Sequence, residues 1–100
     1  MRGMKGKLTK ELCDSVRFVK GSTKSQQYGD GKGLALRVTS MNKMWRFYYE
    51  FQGMRRSMSL GSYDVVPLDE ARAERDQARE DIRNGLDPFD ARIERMKAER

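Results

Sequence analysis

Arginine and hydroxyl side chains alternate along three short stretches of this 100-residue sequence. Arg37 and Thr39 stand two apart, as do Arg46 and Tyr48, and Arg55, Ser57 and Ser59 repeat the spacing. A period of two puts such residues on one face of an extended strand. Guanidinium forks donate paired hydrogen bonds to guanine edges or phosphate oxygens, and hydroxyls serve phosphates. The chemistry on offer is the binding of a polyanion. Catalysis has no comparable footing. The sequence holds no histidine, and Cys13 is its one cysteine. No nucleophile–base pair and no metal-ligand cluster appears in the sequence, and no cofactor is expected. A single cysteine also allows no intramolecular disulfide, which suits a reducing cytoplasm. Cys13 reads as a small apolar side chain buried on a helix.

The strands that would carry these residues are legible. Leu34, Leu36 and Val38 alternate with Ala35, Arg37 and Thr39, the pattern of a half-buried strand. Residues 40–43 make a turn. Over 44–51, Trp45, Phe47, Tyr49 and Phe51 face one way, and Arg46, Tyr48 and Glu50 the other. Gln52-Gly53 is a two-residue hairpin turn, and 54–60 returns with Met58 and Leu60 on the apolar side. Arg56 falls on that same side near the turn, where its head reaches the rim. Residues 26–28 read as a short edge strand. Gly29, Gly31 and Gly33 crowd one turn, but no GK[ST] follows and the next element is a strand, so this is a turn needing positive φ and not a phosphate cradle.

Two helices flank the sheet. Thr9 suits the N-cap of a short one, with Leu12, Cys13 and Val16 along one face. A longer one over 68–84 follows Pro67, has Asp69 and Glu70 in its first turn and stops at Gly85. Leu68, Ala71, Ala78 and Ile82 form its inward stripe, which Arg75 interrupts. Asp76–Arg79 and Glu80–Arg83 stand three apart, the spacing of helix ion pairs. The fold class expected is α+β: a three- to four-stranded antiparallel sheet, the long helix packed on its Trp45 face, and a short N-terminal helix. Residues 1–7 read as a flexible basic arm, 8–86 as the domain, and 87–100 as a frayed helix or linker.

Charge favours the same face. The net charge is +6, with 36% of residues charged. Residues 1–62 hold 13 Lys and Arg against 4 Asp and Glu, whereas 63–100 hold 8 against 11. The basic excess lies in the arm and strands, and it calls for an acidic partner, most often nucleic acid. No apolar run approaches the ~18 residues that span a bilayer, so no membrane partner is expected, and no small-molecule substrate either.

These residues, in this order, resemble a known family. Asp30-Gly31-Lys32-Gly33-Leu34, then Lys43-Met44-Trp45-Arg46-Phe47-Tyr48-Tyr49-Glu50-Phe51, then Arg56 through Leu60-Gly61-Ser62-Tyr63, then Leu68-Asp69-Glu70-Ala71-Arg72 are similar to the N-terminal domain of P4-type phage and genomic-island integrases, which are tyrosine recombinases. The resemblance covers about residues 7–88. It implies an arm-type domain that binds double-stranded DNA at sites flanking the crossover point, supporting integration and recombination in the cytoplasm of a bacterial host, at its nucleoid. Sister integrase subunits are further partners it implies. Strand exchange belongs to later domains of such proteins, toward which 87–100 would be the linker, and no catalytic residue carries over. One departure is Pro67, where the family commonly has Ser or Thr before the helix.

The DNA-binding residues expected are therefore Arg37, Thr39, Lys43, Arg46, Tyr48, Arg55, Ser57 and Ser59. Arg46 and Arg55 are the choices for base contacts. Lys43, with Lys5 and Lys7, would meet phosphates. Two other readings of the same features are an RNA-binding module and a protein-interaction module for recombinase assembly.

Overall fold

The computed structural model describes residues 7–19, 21 and 25–99. Most of the expected basic arm, Lys5 included, lies outside the described residues. Four strands follow one another in space as in sequence: β1 (Gln26–Gly31), β2 (Leu34–Val38), β3 (Lys43–Phe51) and β4 (Met54–Ser62), each antiparallel to the next. Helices α1 (Lys10–Ser15), α2 (Leu68–Arg83) and α3 (Pro88–Ala98) complete the chain. The architecture is α+β, as the alternating runs require.

Alternation sends Leu34, Leu36 and Val38 of β2, Trp45 and Phe47 of β3, and Met58 and Leu60 of β4 to one face. There they meet Leu68, Ala71 and Ala78 of α2 and Cys13 of α1 in a single core. The small alanines let α2 lie close to the sheet. Trp45 is wholly buried, and its Nε1 donates to the Val66 carbonyl at 2.7 Å, so its one polar atom carries no desolvation penalty. Tyr63 meets the indole edge-on at 6.0 Å between ring centroids.

Turn chemistry sets the register. Gln52 and Gly53 both have positive φ, 53° and 79°, the pair that matches the twist of a two-residue hairpin. Gly33 is needed for space as well as for its φ of 93°. A Cβ there would stand 2.5 Å from the Tyr48 carbonyl oxygen, while the Gly33 carbonyl accepts from the Tyr48 amide at 2.8 Å. β4 carries a bulge: Ser59 pairs with Arg46 and Gly61 with Trp45, leaving Leu60 extra. The bulge falls beyond Ser59, so the faces of Arg55, Ser57 and Ser59 keep the parity that simple alternation predicts.

Thr9 caps α1 through its hydroxyl, which accepts from the Leu12 amide at 3.1 Å. Pro67 is the N-cap residue of α2 rather than its first helical position, and makes no side-chain cap bond. The far end of α2 closes with the amide of Gly85 on Ile82 and that of Leu86 on Asp81, a glycine-dependent Schellman stop. Arg75, which breaks the apolar stripe of α2, is buried because it has a partner inside. Asp30, wholly buried at a β1 bulge, accepts from Arg72 Nε and Nη2 at 2.8 and 2.9 Å, from Arg75 Nη1 at 3.2 Å and from the Leu8 amide at 2.9 Å. Burial alone would raise the Asp30 pKa, but these donors and charges prevail and hold it below the usual carboxylate value. The expected Asp76–Arg79 pair gives way to Asp76–Arg75 at 2.9 Å, whereas Glu80–Arg83 forms at 2.6 Å.

The charged segment after Leu86 is an 11-residue helix packed against α2. Asp87 caps it, and also accepts from Tyr49 Oη at 3.0 Å and pairs with Arg56 at 3.4 Å. Arg95 reaches Asp81 at 2.8 Å and Arg92 reaches Glu74 at 3.3 Å. A thin apolar stripe predicts a frayed helix or a linker here; the helix is formed, and ion pairs to α2 and the sheet hold it.

Candidate nucleic-acid interface

The helices cover one face of the sheet. The other face is bare, and its residues follow from the register. Across it run Gln27, Arg37, Met44 and Ser62 in one row, then Gly29, Ala35, Arg46 and Ser59, then Tyr48 and Ser57, then Glu50 and Arg55 at the hairpin end. One arginine stands on each of β2, β3 and β4, stepped diagonally. From the Met44 row to the Glu50 row is six residues, or about 20 Å of strand. That is about six base-pair steps of duplex at ~3.4 Å each. β3 and β4, with nine residues each, outrun β1 and β2. The protruding part is a two-stranded ribbon, the shape that a major groove about 12 Å wide admits.

Among the described residues none of these three arginines meets a carboxylate. Arg37 Nε donates to Ser25 Oγ at 3.1 Å, and Arg46 Nη2 to Ser57 Oγ at 2.7 Å. Arg55 has neither a hydrogen bond nor an ion pair among the described residues, although Glu50 lies opposite it in the register. Arg46 Nε is buried with no acceptor. A neutral hydroxyl leaves a guanidinium's charge whole, and an orphaned buried N–H is worth ~1–3 kcal/mol to whatever satisfies it. Arg46 is thus positioned by Ser57 yet unsatisfied, a side chain with donors in reserve.

Of the eight residues expected here, Arg37, Arg46, Tyr48, Arg55, Ser57 and Ser59 share this face. Tyr48 Oη donates to Gln27 Oε1, crossing from β3 to β1. Ser59 Oγ accepts from the Gly61 amide at 3.2 Å, bracing the bulge. Thr39 and Lys43 stand apart from the group. Thr39 lies just past β2, and its hydroxyl accepts from the amides of Met41 and Asn42 at 3.1 Å, so it organises the β2–β3 loop. Lys43 has the parity of Trp45, and points to the helical side. Its ammonium donates to the carbonyls of Cys13 and Asp14 at the end of α1, at 2.6 and 3.2 Å, and lies 5.6 Å from the Tyr63 ring centroid. Nearby, Tyr63 Oη donates to Asp14, which lifts the tyrosine pKa to about 12 and lowers that of Asp14. Two residues that site reasoning omitted belong to the face, Gln27 and Ser62. Continuing the parity of the edge strand finds Gln27; Ser62 is found only by counting through the bulge.

Among the described residues no group of His, Cys, Asp and Glu could hold a metal ion, and no helix is long and apolar enough to cross a membrane.

Comparison with known proteins meets this geometry from another side. The profile of the arm DNA-binding domain family matches residues 8–95. The chain is 35% identical, over 77% of its length, both to the integrase of Shigella phage Sf6 and to the prophage integrase IntS of Escherichia coli K12, covering 20% of each. It is 33% identical over 73% of its length to the integrase of Enterobacteria phage P4, covering 17% of that protein. The chain thus spans a fifth or less of the curated relatives it matches. The profile takes in every strand of the sheet together with α1 and α2, the elements that create and back the bare arginine face, and by that match the chain belongs to the arm DNA-binding domain family.

Proposed function

We propose that this chain is the N-terminal domain of a prophage or genomic-island site-specific integrase, and that it binds double-stranded DNA at arm sites through the bare face of its sheet. The observation that carries the reading is the diagonal of Arg37, Arg46 and Arg55, none of which pairs with a carboxylate among the described residues. With the β3–β4 ribbon in the major groove, Arg46 turns outward from Ser57 to a base edge and Arg55 follows from the hairpin end. Arg37, Tyr48, Ser57 and Ser59 line the approach to bases and backbone, and exposed lysines such as Lys7 meet phosphates. Contacts to phosphate fix register, while contacts to base edges carry sequence preference. Glu50, on the same face, opposes phosphate and helps to reject wrong registers.

On this reading the chain does no strand exchange. Tyr49 and Tyr63 have their hydroxyls committed to Asp87 and Asp14, and no histidine is available. Catalysis, and assembly with sister subunits, fall to the remainder of the protein, with 87–100 leading toward it. The expected site of action is the cytoplasm, at the nucleoid.

The test is a footprint on duplex DNA flanking the element's own integration site. Protection of short repeats that persists under excess single-stranded or structured RNA, without nicking of supercoiled DNA, is the expected result. RNA displacing the duplex at equal concentration would replace this reading with an RNA-binding one.

A further inference from the structure

Away from the DNA face, the apolar side of the β3–β4 ribbon outruns its helical cover. Phe51 and Met54 sit opposite each other beside the hairpin turn, with the parity of the core. The α2–α3 corner covers them only in part. Met54 is 58% exposed, Leu86 50% and Phe89 49%. Phe51 and Leu86 line an open groove of about 510 Å³, to which α3 contributes Ala91 and the carboxylates of Asp90 and Glu94. Phe89 extends the apolar surface past Tyr49 and Arg56. Isolated exposed apolar residues are ordinary, but a contiguous group with a polar rim marks an interaction surface.

Charge says what kind of partner fits. In a chain of net charge +6, this groove carries Asp87, Asp90 and Glu94 against Arg95 alone. That arginine is neutralised by Asp81 at 2.8 Å, and Arg56 by Asp87. Asp90 has no partner among the described residues, and Glu94 has only Lys97 at 3.7 Å. A second copy docking symmetrically would set acidic rim against acidic rim.

We propose that this groove is a docking site for a basic amphipathic helix of another polypeptide, with apolar anchors against Leu86, Phe89 and Phe51 and cations against Asp90 and Glu94. Helix-in-groove binding needs such anchors and such a rim. The groove lies on the helical side of the sheet, so a partner bound there leaves the arginine face open, and one domain can hold DNA and a protein together. This inference does not depend on the DNA reading, and either can fail alone.

The test titrates the isotope-labelled 100-residue chain with a designed amphipathic helix of leucine and lysine, and separately with its leucine–glutamate counterpart. The chain as a whole repels cations, so binding of the basic peptide has to come from a local site. Amide shifts confined to the segments around Phe51, Leu86 and Asp90, together with a weaker response to the acidic peptide, are expected. Leu86→Ser with Phe89→Ser should weaken binding by about tenfold or more, and Asp90→Lys should weaken the basic peptide while strengthening the acidic one. Both variants alter exposed side chains, and an unchanged Trp45 fluorescence spectrum reports an intact core. No shifts at the groove, equal response to both peptides, or self-association of the chain through these residues would each overturn the proposal.

Discussion

Two sets of arginines on this small domain have opposite surroundings. Arg72 and Arg75 converge on the buried carboxylate of Asp30. Arg37, Arg46 and Arg55 spread over the bare face, where among the described residues Arg37 and Arg46 meet serine hydroxyls and Arg55 meets no partner. The residue type is the same; the partner decides the role. Asp30 together with Asp76 matches the two guanidinium charges, and the bidentate fork of Arg72 on Asp30 fixes the geometry that joins β1, α2 and the chain at Leu8. On the bare face the charges stay uncancelled, so they stabilise little here and remain free for a polyanion. Arginine on a carboxylate holds the fold, and arginine on a hydroxyl waits for a ligand.

The sharpest way to break the contrast is to remove the shared carboxylate. Asp30→Ala takes the inner carboxylate from both Arg72 and Arg75, leaving buried Arg75 with only the exposed carboxylate of Asp76, and should cost about 3–5 kcal/mol of stability, the usual penalty for breaking a buried ion pair from one side. Denaturant titration measures it. The loss should depend on pH in a defined direction. The folded Asp30 pKa lies below its ordinary value, so its stabilisation is complete above about pH 4, the unfolded value. It fades as pH falls through the lower, folded value. The gap between wild type and variant should therefore narrow in acid. A gap constant from neutral pH to strong acid would mean that Asp30 acts by shape and not by charge.

Arg46→Ala should invert the pattern. Stability should change by less than ~0.5 kcal/mol, since only a hydroxyl contact is lost and an unsatisfied Nε disappears with it. Binding to an arm site should weaken by about 1–3 kcal/mol, with a smaller loss on scrambled duplex. Equal losses on both duplexes would reduce Arg46 to a phosphate contact. No loss on either would put the DNA on another surface.

Much of this was legible in the residues. Period-two alternation over β2, β3 and β4 separates the core face from the bare face because a strand admits only two sides, and Gln52-Gly53 fixes the register between β3 and β4. The Asp30 cluster was hidden because its members are 42 and 45 residues apart; an arginine in an apolar helical stripe, as at Arg75, was the available signal of a buried acid elsewhere. The docking of α3 was hidden for a similar reason. Periodicity detects apolar stripes, and α3 is held through Arg92, Arg95 and Asp87, whose partners sit on α2 and the sheet. Lys43 misled for a third reason. A lysine just after a turn looks solvent-bound, yet parity with Trp45 sends it to the helical side, where only the fold shows that α1 ends within reach.

Lys43 supplies the smallest and most discriminating prediction. A phosphate-binding lysine and a helix-capping lysine differ in what their removal changes. Lys43→Met keeps an unbranched apolar stem and removes the ammonium that bonds the Cys13 and Asp14 carbonyls. Stability should fall by roughly 1 kcal/mol, the net worth of such a hydrogen bond at a partly exposed site. The salt dependence of DNA binding should keep its slope, because no counterion-releasing contact is lost. Lys7→Met, on a residue that is exposed and has no partner among the described residues, should do the reverse: stability unchanged and the slope flatter by about one unit. Binding titrations of both variants across a range of salt, beside thermal melts, separate the two cases. A flattened slope for Lys43→Met would mean that its ammonium leaves α1 for phosphate when DNA binds, which would make α1 part of the interface instead of its support.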